Sequence, residues 1–93
     1  MINDFRNGTR DLIEKLKKRG RAGQYIRWQI NKDEINDPTL VSLRAYGSRD
    51  YADVVMVACG TSGIWEELPR EEIILPTLLQ LIQLRQQFNR DDD

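Results

Sequence analysis

Several groups of residues in this chain have the types and spacings from which chemistry is built. Glu66, Glu67, Glu71 and Glu72 offer paired carboxylates, the residue type that glycoside hydrolysis uses. Such a pair works when its surroundings drive the two pKa values apart. These four lie in a polar run with no apolar wall to do that, so they read as a solvated stretch. Cys59 is the single cysteine, which rules out an internal disulfide. A cysteine nucleophile is commonly activated by histidine, and the chain has none. Cys59 is therefore expected to fill a small apolar role at the end of a helix. The missing histidine also removes the commonest metal ligand and the commonest general base at neutral pH. Asp91, Asp92 and Asp93 read as a solubilising end and not a metal site. Lys15, Lys17, Lys18, Arg19 and Arg21 put five bases in seven residues, a cluster of the kind that meets phosphates. No aromatics interleave it and no nucleic-acid fold is recognisable around it. Docking on an acidic protein surface, or plain solvation, is expected in place of nucleic acid. Tyr46 and Trp28 are expected to close the core, and Trp65, beside Glu66 and Glu67, is either core or an interface anchor. No catalytic residue, cofactor, metal or small-molecule ligand is expected. These residues point to a binding or assembly module, not an enzyme.

The elements that would position these groups follow from punctuation and periodicity. With 93 residues the chain is one domain with a modest core. Residues 1–23 form a basic arm. Thr9 is placed to cap a helix ending at Arg19, with Leu12, Ile13 and Leu16 as its apolar stripe and Gly20 after its end. Residues 1–8 are expected to stay loose until a partner orders them. Residues 24–76 form the compact unit. Ile26, Trp28 and Ile30 alternate with Tyr25, Arg27 and Gln29, which predicts a half-buried strand. Asp37-Pro38 is a helix start, and Gly47 its stop. Ser48 or Asp50 caps a second helix, whose Val54, Val55, Val57 and Ala58 make it the most buried element, up to Gly60. Ile73, Ile74 and Leu75 form a closing strand stopped by Pro76. Residues 77–93 form a last helical arm. Its Leu78, Leu79, Leu81, Ile82, Leu84 and Phe88 exceed what one face can bury against the domain.

Charge is balanced in total but not in place. From Met1 to Arg27 eight bases meet three acids, a net +5, and the remainder holds six bases and twelve acids, a net −6. A basic front and an acidic back suit ordered self-association or two different partners. The opening residues are too polar for a secretory leader, and the apolar runs fall far short of the roughly 20 residues that span a bilayer. A cytoplasmic site of synthesis and assembly is expected, with no membrane partner.

Leu40-Val41-Ser42-Leu43-Arg44-Ala45-Tyr46-Gly47, the aromatic-led stretch Tyr51 to Ala58, and Ile73-Ile74-Leu75-Pro76 occur in that order and spacing. Together they resemble the two helices and closing strand of the LysM domain, whose first helix ends in a Tyr-Gly and whose last strand ends in Ile-Pro or Leu-Pro. The resemblance covers Tyr25 to Pro76 and implies a small α+β fold of βααβ type, flanked here by an N-terminal helix and a C-terminal helical arm. Asn31 to Leu40 and Cys59 to Gly63 depart from the loops that line the sugar groove of wall-binding members. The chain is similar instead to the small LysM-like adaptor and wedge proteins in the tails and baseplates of contractile phages. That resemblance implies a virion structural protein, assembled in the host cytoplasm in multiple copies of a symmetric assembly, among tube, hub or wedge subunits. Leu78, Leu81, Ile82, Leu84, Phe88 and Trp65, with Lys15, Lys18 and Arg19, are the expected partner contacts. The competing expectation is a LysM module that binds N-acetylglucosamine polymers of peptidoglycan.

Overall fold

The computed structural model describes residues 2–61, 63 and 66–89, and side chains from Phe5 to Gln87 within them. The described chain runs α1 (Ile2–Arg19), β1 (Tyr25–Gln29), α2 (Pro38–Tyr46), a single 3-10 turn (Arg49–Tyr51), α3 (Ala52–Cys59), β2 (Glu72–Pro76) and α4 (Leu78–Asn89). β1 and β2 pair antiparallel, with Tyr25 opposite Pro76 and Gln29 opposite Glu72. The unit β1–α2–α3–β2 is thus a βααβ arrangement, and the whole is a small α+β domain. Trp65 and the Asp91–Asp93 end lie outside the described residues.

The α2 boundaries follow the local chemistry. The Asp37 carboxylate accepts from the backbone N–H groups of Thr39 and Leu40, Pro38 occupies the first turn, and Gly47 closes the helix at φ 79°. Ser48 caps the 3-10 turn by accepting from the Asp50 N–H at 3.1 Å. Buried Ser42 locks this corner: its hydroxyl donates to the Ser48 carbonyl and accepts from the Tyr51 N–H. α3 buries Val54, Val55, Met56 and Ala58 and ends at Gly60, φ 75°. α4 opens with a reciprocal capping box. The Gln80 N–H donates to Thr77 Oγ1 at 3.3 Å, and the Thr77 N–H donates to Gln80 Oε1 at 2.9 Å.

α1 differs from the sequence expectation. It begins at Ile2, so residues 2–8 are helical, and Thr9 lies inside the helix where a cap was expected. The physical reason is a longer apolar stripe. Phe5, Thr9, Ile13 and Leu16 recur at helical spacing: Ile13 is in the core, Phe5 packs against it, and Thr9 and Leu16 are buried on the same stripe. The Thr9 hydroxyl donates to the Phe5 carbonyl at 2.8 Å, which lets a polar side chain occupy the buried face. Gly20 then ends α1 where the Tyr25 ring passes, since a Cβ there would meet that ring and the Leu16 carbonyl.

The core joins Ile13 of α1, Ile30, Val41, Tyr46, Val54, Val55, Ala58, Leu68, Ile73 and Leu75 with Leu81 of α4. Both terminal helices therefore contribute to the domain's own core. They are not free arms.

Candidate docking surface

Leu81 is fully buried, which corrects its assignment as a partner contact. It anchors α4 to the core, and the rest of the helix is oriented around it. Just under one turn on, Leu84 is half-buried. Turned away from it are Leu78, Leu79 and Ile82, exposed at 37%, 64% and 40%. Ile82 lies four residues from Leu78 and three from Leu79, so the three share one flank of the helix. Gln83 and Gln86, both exposed and uncharged, border it. Leu79 is the most exposed large aliphatic among the described residues, and sequence reasoning did not single it out as a contact. Its neighbours Leu78 and Leu81 are apolar too, so nothing in the pattern marked which of the three faced outward. The Phe88 side chain lies outside the described residues.

Arg85 fixes the pose of α4. Its guanidinium lies 5.4 Å from the Phe5 ring centre of α1 and 4.9 Å from that of Tyr51. Tyr51 in turn meets Tyr46, with ring centres 5.2 Å apart. A cation sandwiched between two rings attracts both of them. It clamps α1, the 3-10 turn and α4 together across stretches far apart in sequence. Gln80 adds a second tie by donating from Nε2 to the Gln24 carbonyl at 3.0 Å.

The basic residues Lys15, Lys18 and Arg19 are exposed on the last turns of α1. They remain available to an anionic surface, but they do not join the Leu78–Leu79–Ile82 flank into any contact among the described residues.

The other candidate groups lie elsewhere on the domain. The Tyr46 hydroxyl donates to the Pro76 carbonyl at 2.7 Å, which ties α2 to β2, and burial holds this phenol above its ordinary pKa. Burial also pushes the Cys59 thiol up to about 11, with Glu71 adding to the effect and Lys17 opposing it, so little thiolate is present at neutral pH. Glu66, Glu67, Glu71 and Glu72 are all exposed, and Glu72 meets Arg27 at 3.9 Å. Trp28 is half-buried with its Nε1 3.4 Å from Glu34.

Glu34 lies in the polar run Asn31-Lys32-Asp33-Glu34, yet it is fully buried. Its Oε1 accepts from the Asn31 N–H at 2.7 Å, and its Oε2 meets Arg44 Nη1 at 3.0 Å. Arg44 also grips Asp33 in a two-pronged contact at 2.8 and 3.1 Å. The guanidinium holds the Asp33 carboxyl below the usual carboxylate range, and Asp33 raises the Arg44 pKa in return. This cluster staples the β1–α2 loop onto α2. Behind it, the Leu68 N–H donates to the Ile35 carbonyl at 2.7 Å, and Leu68 is buried. The β1–α2 loop and the chain leading to β2 are therefore drawn together there.

Among the described residues no cluster of three or more Cys, Asp or Glu side chains is placed to hold a metal ion, and no helix is long and apolar enough to cross a membrane. No buried polar side chain among them lacks a hydrogen-bond partner. No protein-family model matches the chain, and no curated protein or solved structure matches it either.

Proposed function

We propose that this chain is a structural assembly protein, an adaptor or wedge component of a contractile phage tail or baseplate, and that it docks neighbouring subunits through α4. The observation that carries the docking reading is the Leu78–Leu79–Ile82 flank, exposed on a helix that Leu81 and Arg85 tie to the rest of the domain. A preorganised apolar flank loses little conformational freedom on binding. The tail setting is supported by the resemblance of Leu40–Gly47, Tyr51–Ala58 and Ile73–Pro76 to LysM-like tail proteins, in a chain with the βααβ order.

The energetics favour a many-copy setting. Full burial of one such side chain contributes about 1.5–3 kcal/mol. Three side chains that are already partly covered yield less than three times that, against an association cost of about 4–15 kcal/mol. A single flank holds one neighbour weakly, whereas repetition around a symmetric assembly raises the effective concentration of each contact. The exposed bases of α1, Lys15, Lys18 and Arg19, would orient the approach of acidic neighbours.

The test is an affinity pull-down of the tagged chain from its native source, with mass spectrometry of what accompanies it. It is run beside a Leu79→Asp, Ile82→Asp double variant. Tail-tube, hub or wedge proteins are expected with the unaltered chain and not with the variant, whose circular dichroism melt should be unchanged. Equal recovery with the variant would show that α4 is not the dock. Recovery of cell-wall fragments or hydrolases alone would replace this reading with an N-acetylglucosamine-binding module.

A further inference from the structure

Among the described residues, the two-stranded sheet leaves one of its edges open. The Ile30 N–H donates to the Glu71 carbonyl at 3.1 Å, which continues the β1–β2 register as a hydrogen-bonded pair. Pairs alternate along an antiparallel ladder. Trp28–Ile73 and Ile26–Leu75 are then the hydrogen-bonded pairs, while Tyr25, Arg27 and Gln29 turn their N–H and C=O groups away from β2. Pro76, which has no N–H, falls opposite Tyr25 in a non-bonded pair, as this alternation requires. On the β2 side the outward Pro76 carbonyl is taken by the Tyr46 hydroxyl. On the β1 side no hydrogen bond among the described residues engages the outward backbone groups of Tyr25, Arg27 or Gln29. Burial agrees, since Ile73 and Leu75 of β2 are buried while Ile26 and Trp28 of β1 are only half-buried.

We infer that this β1 edge receives an extended, acidic peptide segment of a partner protein as a third strand. An open edge offers a regular row of backbone donors and acceptors that an extended chain satisfies. The charge of the edge selects what that chain is. Arg21 and Lys32, both exposed, stand just before and just after β1, and no acid falls between them in sequence. Arg27 stands exposed at the centre of β1, and among the described residues it meets one acid, the exposed Glu72 at 3.9 Å. The same charge rejects a second copy. Antiparallel β1–β1 pairing about its centre would set Arg27 against Arg27, and like charges directly opposite are destabilising. This surface is separate from the α4 flank and stands whether or not that flank is a dock.

The test is a titration of the full 15N-labelled chain with a ten-residue peptide of alternating Val and Glu, read by amide hydrogen exchange. Three control peptides are used: one with Lys in place of Glu, and two N-methylated at alternate residues, which remove the donors on one edge and on the other. At saturation the Arg27 and Gln29 amides should exchange at least tenfold more slowly with the Val-Glu peptide. The Lys peptide and at least one of the N-methylated peptides should give no slowing. The inference is overturned if the Val-Glu peptide slows neither amide. It is equally overturned if both N-methylated peptides protect as well as the parent, because the contact is then charge attraction without strand pairing. Protection in the free protein that grows with its concentration also overturns it, in favour of a second copy. As a protein-side check, Arg27→Glu should abolish the slowing while the Trp28–Ile73 cross-strand contacts persist.

Discussion

Asp33 and Glu34 are adjacent carboxylates that share one guanidinium, yet their removal should have very different consequences. Asp33 is solvent-exposed, and its contact with Arg44 is an open surface pair. Replacing it by Asn should leave the unfolding midpoint where it is, because water takes over both partners. Glu34 is wholly buried and accepts from the Asn31 N–H at 2.7 Å as well as from Arg44 at 3.0 Å. Removing one member of a buried charge pair costs about 3–5 kcal/mol in general. Here the Arg44 side chain is 40% exposed and can rehydrate, which lowers the expected cost of Glu34→Ala to about 2–3 kcal/mol. For a domain of this length, that is a fall in Tm of roughly 10–20 °C. Glu34→Gln keeps an acceptor for Asn31 but loses the charge opposite Arg44, so it should fall between the two. The assay is urea unfolding followed by tryptophan fluorescence and far-UV circular dichroism. A Glu34→Ala midpoint equal to that of Asp33→Asn would refute the reasoning, since burial would then not decide what this carboxylate contributes.

On α4, Leu81→Ala should destabilise the fold by about 3 kcal/mol, because it opens a void in the core. Leu79→Ala two residues earlier should stay within about 0.5 kcal/mol of the unaltered chain, as thermal melts would show. Acid unfolding should report Asp37. Its carboxylate accepts from the Thr39 hydroxyl and the Leu40 N–H and lies near Arg49, which together hold it below an ordinary value of 3.8. A depressed carboxylate contributes stability above its unfolded pKa and loses it as pH falls through the folded value. The stability curve should therefore be flat in this group above about pH 5 and fall below about pH 4. An Asp37→Asn variant should show a shallower fall in the same range, and an unchanged slope would count against the assignment.

The compact unit was legible in the sequence because its boundaries are set by local chemistry. Asp37-Pro38, Gly47 and Gly60 each mark a helix end through groups within four residues of one another, whereas Ser48 caps the 3-10 turn that precedes α3 and not α3 itself. The alternation in Tyr25–Ile30 and the apolar run Ile73–Leu75 identified two strands, because a period of two needs no distant partner to be seen. The terminal helices were harder to read, since their roles depend on contacts remote in sequence. Thr9 has the side chain of a helix cap, and only the burial of the stripe it shares with Phe5 and Ile13 accounts for its place inside α1. Glu34 sits in a run that reads as a polar turn, and its burial is decided by Arg44, ten residues along. Leu78, Leu79, Leu81 and Ile82 are chemically alike, so composition predicted an excess of apolar surface on α4 but not its direction. That direction is set by Arg85 between Phe5 and Tyr51 and by the cavity that accepts Leu81. Local bonds are written in local sequence, whereas the choice of which equivalent side chain is buried belongs to the packing of the whole chain.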